Sequence, residues 1–190
     1  MDTELIIDEH SGWIRDVRRV VSPNCDPRPD DAGASLIVIH GISLPPGEFG
    51  GPWVDHLFTN SLPVAQHDYF AEIAHLRVSA HALIRRDGEL VQYVPFTARA
   101  WHAGESTWCG RAKCNDFSVG IELEGTDEIP YTDPQYQRLT ALVVALKRTY
   151  ASLRDADVVG HEHIAPGRKT DPGPAFDWPR LNRALEVQET

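Results

Sequence analysis

No stretch of this 190-residue sequence stays apolar for the roughly 18–20 residues that a membrane-crossing helix needs. Positive charge is scarce as well: 18 lysines and arginines stand against 28 aspartates and glutamates, a formal net charge of −10. That balance opposes the counterion release that drives nucleic-acid binding and the attraction to anionic lipid, so neither nucleic acid nor membrane is expected as a partner. A basic leader with an apolar centre is missing. The start, Met1-Asp2-Thr3-Glu4-Leu5-Ile6-Ile7-Asp8-Glu9, is acidic instead, which points to a cytoplasmic protein. Cysteine is sparse. Cys25, Cys109 and Cys114 form no paired framework, and Cys109 and Cys114 have no second Cys or His pair at zinc-finger spacing, so free thiols are expected. Internal repeats and low-complexity tracts are lacking too.

What is present suits one globular unit. An apolar share of 42% over 190 residues supplies a core, and a chain of this length buries roughly 70% of its unfolded surface without help from metal or disulfide. A single domain over residues 1–190 is expected. Ser35-Leu36-Ile37-Val38-Ile39-His40 is apolar and rich in β-branched residues and reads as a buried central strand. Ser79–Ile84 and Glu89–Val94 flank Arg85-Arg86-Asp87-Gly88, whose Asp-Gly pair suits a tight hairpin. In Phe117–Gly125, Val119, Ile121 and Leu123 share one strand face while Gly120, Glu122 and Glu124 share the other. Val158-Val159-Gly160-His161 reads as a last, short strand.

Asp133-Pro134 reads as the cap and first turn of a helix with Tyr136, Leu139, Leu142, Val143, Leu146 and Tyr150 on one stripe. Asp177 is expected to cap a C-terminal helix with Trp178, Leu181, Leu185 and Val187 inward, and residues 64–76 suit a third helix. The proline- and glycine-rich run Leu44–Pro52 can hold neither helix nor strand and reads as a lid over a cleft. Strands mixed with helices, including an antiparallel hairpin, give an α/β domain with a central mixed β-sheet packed by helices.

Chemistry concentrates at a few positions. His40 ends an apolar strand and is followed by flexible Gly41, a place where a sheet holds a side chain beside a substrate-admitting loop. His161 closes the last strand, and His163 points the same way if the chain stays extended. Asp171 precedes Pro172, which excludes helical backbone and presents the carboxylate on a stiff segment. Two imidazoles and one carboxylate with a fourth position left to water match a catalytic zinc, which brings the pKa of its water to about 7. Such a hydrolase also needs a proton carrier and positive charge near the developing oxyanion. Glu122 and Glu124 share a face, and the pattern alone does not choose between them. Lys169, two residues before Asp171, points the same way in extended backbone.

Five ordered blocks carry a wider likeness: Ile39–Gly50, Ser79–Ile84, Arg99–Gly104, Asn115–Asp127 and Gly160–Gly173. Together they closely resemble the AmpD-type 1,6-anhydro-N-acetylmuramoyl-L-alanine amidases. The resemblance implies the fold shared by type-2 amidases and peptidoglycan-recognition proteins. It also implies a Zn2+ cofactor on His40, His161 and Asp171, Glu122 as proton acceptor and Lys169 as oxyanion stabiliser. The implied substrate is a small anhydromuramoyl-peptide in peptidoglycan recycling, cut between the lactyl group and L-alanine, with no obligate protein partner. Trp101, His102, Arg77 and Lys113 are the candidate substrate-binding residues. Two positions depart from the family pattern. Gly41 stands where asparagine is common, and Lys113 stands where an arginine would meet the peptide carboxylate, keeping the charge but losing the two-pronged fork. Two other readings share the fold. One is an amidase acting on intact wall peptidoglycan. The other is a recognition module that binds fragments without cutting them, and such a module need not keep a complete metal set.

Overall fold

The computed structural model describes residues 4–29 and 33–188. Residues 1–3 of the acidic start and Ala32, before the first long strand, lie outside this range. In chain order the strands are β1 (Arg18–Arg19), β2 (Cys25–Pro27), β3 (Leu36–Ile42), β4 (Ala82–Ile84), β5 (Leu90–Gln92), β6 (Ala98–Ala100), β7 (Thr107–Trp108), β8 (Arg111–Ala112), β9 (Ser118–Glu124) and β10 (Asp157–Gly160). The helices are α1 (Trp53–Phe58), α2 (Asp68–Ile73), α3 (Asp133–Thr149), α4 (His161–Ile164) and α5 (Trp178–Gln188).

Six strands form one sheet in the order β1-β5-β4-β9-β3-β10. All neighbours run parallel except β4 and β5, the hairpin legible in the sequence, so the sheet is mixed. The adjacent interior strands β9 and β3 are the two longest and carry the long apolar runs, as strands covered on both faces should. Ile37, Ile39, Val119, Ile121 and Leu123 face a core completed by Tyr136, Leu139, Leu142, Val143 and Leu146 of α3 and Leu181 and Leu185 of α5. The opposite face carries two separate apolar clusters. One gathers Val54, Leu57, Phe58 and Phe70 of α1 and α2 over Leu83 and Val91. The other packs Leu36, Val38, Ala103, Cys114, Phe117 and Ile164 together. The seam between these clusters opens at the carboxyl ends of β3 and β9.

Several local expectations are refined. Thr132, not Asp133, caps α3: its hydroxyl accepts from Gln135 N while the Gln135 side chain accepts from Thr132 N, a reciprocal capping box. Asp177 does cap α5, its Oδ1 accepting from Arg180 N at 2.9 Å, but Val187 points outward and is 71% exposed. The helix expected over 64–76 is limited to α2, with Leu76 beyond its end and 38% exposed. The run Leu44–Pro52 forms no regular structure. It is tied down: Gly50 N donates to Glu124 Oε1 at 2.6 Å, and Arg85 Nη1 donates to Gly51 O at 2.9 Å. Cys25, Cys109 and Cys114 are all free thiols.

Candidate metal centre and active site

Three segments end at one place. His40 lies near the carboxyl end of β3, directly beside Glu122 of β9 in parallel register, so both side chains leave the same sheet face. On the other side of β3 runs β10, with Gly160 beside Ile39, and the chain turns into α4 at the next residue. That turn lays His161 against His40. The returning segment is pinned by Glu162 N donating to Asp171 O at 3.0 Å, which sets Asp171 over the first turn of α4. The two Nδ1 atoms of His40 and His161 are 3.0 Å apart, and each is 3.2 Å from Asp171 Oδ2.

The start of α4 also separates two histidines that extended backbone would have aligned. His163 is swung away: its Nδ1 accepts from Gly160 N at 2.8 Å, and its ring lies 5.6 Å from that of Trp178. The expectation that His161 and His163 share a direction is therefore corrected by the helical turn between them.

The donor set fits a zinc ion. His161 Nε2 lies 3.1 Å from the carbonyl oxygen of Ala103, which can only accept, so the ring proton is on Nε2 and Nδ1 is a lone pair aimed at the cluster. Ligand-atom separations of 3.0 and 3.2 Å are close to the roughly 3.3 Å edge of a tetrahedron whose ligands stand ~2.0–2.1 Å from zinc. Charge agrees with this. Burial alone would raise Asp171, but its close contacts with the His161 and His40 rings hold it well below the usual carboxylate range. Burial lowers His40 to about 4 against the opposing pull of Asp171, so its ring is neutral at ordinary pH.

Glu122 is buried, and among the described residues its Oε2 has no hydrogen-bond partner. Burial, then the charge of Asp171, push its pKa well above the ordinary glutamate value, opposed by Lys169. Glu124, two residues on, has a different environment. Its carboxylate accepts from Gly50 N, Arg86 N and Arg85 Nη1, so it anchors the 44–52 loop.

A cavity of about 640 Å³ opens over these groups. His40, His102, Glu122, His161, Lys169 and Asp171 line its polar side, and Leu57, Phe58, Tyr69 and Ile73 of α1 and α2 its apolar side. Of the residues read as substrate-binding, His102 lines this cavity. Arg77 is exposed between Leu76 and Val78, which do line it, and its guanidinium donates to the carbonyls of Ala74, His75 and Leu76. Trp101 is half-buried, with Nε1 donating to Asp26 Oδ1 at 3.3 Å. Lys113 is exposed at the start of a 3₁₀ turn with φ 62°.

Sequence reasoning missed the apolar wall and Tyr131. Tyr131 Oη donates to Pro172 O at 3.0 Å, and a Cβ on Gly41 would lie 2.4 Å from that same hydroxyl oxygen. The glycine after His40 is thus the space a tyrosine needs to hold the peptide next to Asp171. The departure at Gly41 was the available signal.

Comparison with known proteins agrees with this site. Residues 30–174 match the family described as N-acetylmuramoyl-L-alanine amidase. The chain is 62% identical over 179 residues to the 1,6-anhydro-N-acetylmuramyl-L-alanine amidase AmpD of Escherichia coli K12, covering 94% of this chain and 97% of that one. A crystal structure of a selenomethionine derivative of AmpD superposes with a TM-score of 0.91 at 60% identity, covering 95% of this chain and 99% of the other. AmiD from E. coli, in complex with anhydro-N-acetylmuramic acid-L-Ala-D-γ-Glu-L-Lys, superposes with a TM-score of 0.58 at 28% identity, covering 95% of this chain and 65% of that one.

Proposed function

From the chain's membership of the N-acetylmuramoyl-L-alanine amidase family, we propose how its own residues cut the amide between the lactyl group of 1,6-anhydro-N-acetylmuramic acid and L-alanine. The observation that carries the reading is the convergence of His40, His161 and Asp171 with Glu122 one strand away. Zinc held by His40 Nδ1, His161 Nδ1 and Asp171 Oδ2 would supply a Lewis acid that acidifies water and polarises the scissile carbonyl.

Glu122 is the proton carrier. Its unpartnered Oε2 takes a proton from the attacking water as the water oxygen bonds to the lactyl carbonyl carbon. The raised pKa suits a carboxyl that must hold that proton through the tetrahedral stage. When the carbon–nitrogen bond breaks, Glu122 delivers the proton to the departing alanine nitrogen, leaving a carboxylic acid on the lactyl side and an amine on the peptide, and the acid's proton then passes to the amine. Lys169, on the polar wall of the cavity, places an ammonium near the oxygen that becomes negative. The apolar wall from α1 and α2 seats the non-reacting part of the substrate and keeps bulk water out. Trp101, Arg77 and Lys113 would meet parts of the ligand that reach beyond the cavity, the two cations facing peptide carboxylates. The proposed setting is the cytoplasmic recycling of wall fragments, on the resemblance set out above. Among the described residues no helix is long and apolar enough to cross a membrane.

The test is to incubate the zinc-loaded protein with anhydromuramoyl-tripeptide and, separately, with intact sacculi, and to identify products by mass spectrometry. Release of free tripeptide from the small substrate is expected. Release from sacculi alone would move the assignment to wall peptidoglycan, and binding without cleavage in either case would sink the enzymatic reading.

A further inference from the structure

Resting on that reading and its metal, we propose that His102 is a positioning residue, which together with Ser118 holds His40 in the one protonated form whose Nδ1 can ligate. Its ring nitrogens are both occupied by protein. His102 Nδ1 lies 2.9 Å from His40 Nε2, and His102 Nε2 lies 3.1 Å from Ser118 Oγ. Ser118 Oγ in turn donates to the carbonyl oxygen of Cys114 at 2.6 Å.

The direction of this chain is fixed from its far end. A carbonyl oxygen has nothing to donate, so the hydroxyl of Ser118 commits its single hydrogen to Cys114. Ser118 Oγ can then only accept from His102, which puts the His102 proton on Nε2. A neutral imidazole carries one N–H, and among the described residues no carboxylate touches either ring nitrogen of His102 to hold a second proton. His102 Nδ1 is therefore an acceptor, and His40 must donate to it through Nε2. What remains on His40 is a lone pair on Nδ1, the atom turned toward His161 and Asp171.

The surroundings hold His102 in place. A Cβ on Gly120 would stand 2.4 Å from the His102 Cγ and 2.6 Å from its Nδ1, so the ring occupies a slot that only glycine leaves. The backbone N–H groups of His102 and Ala103 both donate to Asn115 Oδ1, at 3.0 and 2.8 Å. The same short loop serves the other imidazole, because the Ala103 carbonyl accepts from His161 Nε2 at 3.1 Å. Two consecutive residues, one by side chain and one by carbonyl, thus set both histidine ligands. Partners of this kind, one shell outside the ligands, fix ring orientation and tautomer.

The variants Ser118→Ala, His102→Leu and His102→Asn separate this role from plain packing. Asparagine can offer Oδ1 where histidine offers Nδ1, whereas leucine fills the space without an acceptor. Zinc affinity, measured by competition with a chromogenic chelator, should fall roughly 10–100-fold in His102→Leu and Ser118→Ala and recover to within a few-fold of wild type in His102→Asn. In zinc-loaded wild-type protein, nitrogen-15 NMR should find the His102 proton on Nε2. Affinity in His102→Leu within twofold of wild type, or a His102 proton on Nδ1, would overturn the proposal. The NMR measurement stands even if a variant fails to fold. A wild-type protein that binds no zinc would instead sink the metal assignment itself.

Discussion

Glu122 and Glu124 have the same chemistry and lie on the same strand face, yet one is unpartnered beside Asp171 and the other is committed to Gly50, Arg85 and Arg86. Replacing Glu122 with alanine should leave metal content at one per chain and lower turnover by roughly 10²–10⁴, the range for losing a general acid–base. Near-normal turnover in that variant would pass the role to another group. Lys169→Ala should keep its metal and lose roughly 10²–10³ in kcat, as for one oxyanion-stabilising group. An unchanged kcat would show that its ammonium never reaches the oxyanion. Gly41→Ala should destabilise by about 1–3 kcal/mol, because the added methyl meets the Tyr131 hydroxyl. Removing that hydroxyl in a Gly41→Ala, Tyr131→Phe double variant should recover part of the loss in a denaturant titration. Additive losses would disprove the clash.

Among the elements, β3, the β4–β5 hairpin, β9 and α3 were legible because each carries its own pattern: a β-branched run, an Asp-Gly turn, strict alternation, a 3.6-residue stripe. The Gly88 φ of 86° is the backbone conformation that the Asp-Gly pair announced. α1 was not legible. It is six residues long, begins after Pro52 with no side-chain cap, and exists because Val54, Leu57 and Phe58 cover the sheet. The two- and three-residue strands β1, β2 and β6 likewise owe their form to partners distant in sequence, while the two-residue β7 and β8 pair only with each other. The proposed ligand residues were readable one at a time, but their meeting depends on β10 choosing β3 as its neighbour, which no local pattern states. The true cap of α3 was one residue from the expected one. Thr132→Ala should therefore cost about 0.5–2 kcal/mol by thermal or denaturant unfolding, with Asp133→Ala costing less.

On the scale of the whole molecule, the three proposed ligands come from the end of β3, the start of α4 and a loop ten residues further on, so a bound ion would cross-link segments far apart in the chain. Zinc at a hundred times its Kd should stabilise by roughly 2.7 kcal/mol. For a chain of this size that amounts to a rise of about 5–10 °C in Tm, reversed by a chelator. An unmoved Tm would count against the three residues as a binding site. The seam over the sheet has a further consequence. Every group proposed to act on the amide belongs to β3, β9, α4 or the segment just after it, while the apolar wall opposite belongs to α1 and α2. On the proposed roles, the groups that cut the amide and the apolar wall that seats the ligand thus stand on separate elements. Grafting a different pair of short helices onto this half would retune which molecules are admitted without disturbing the apparatus that cuts them.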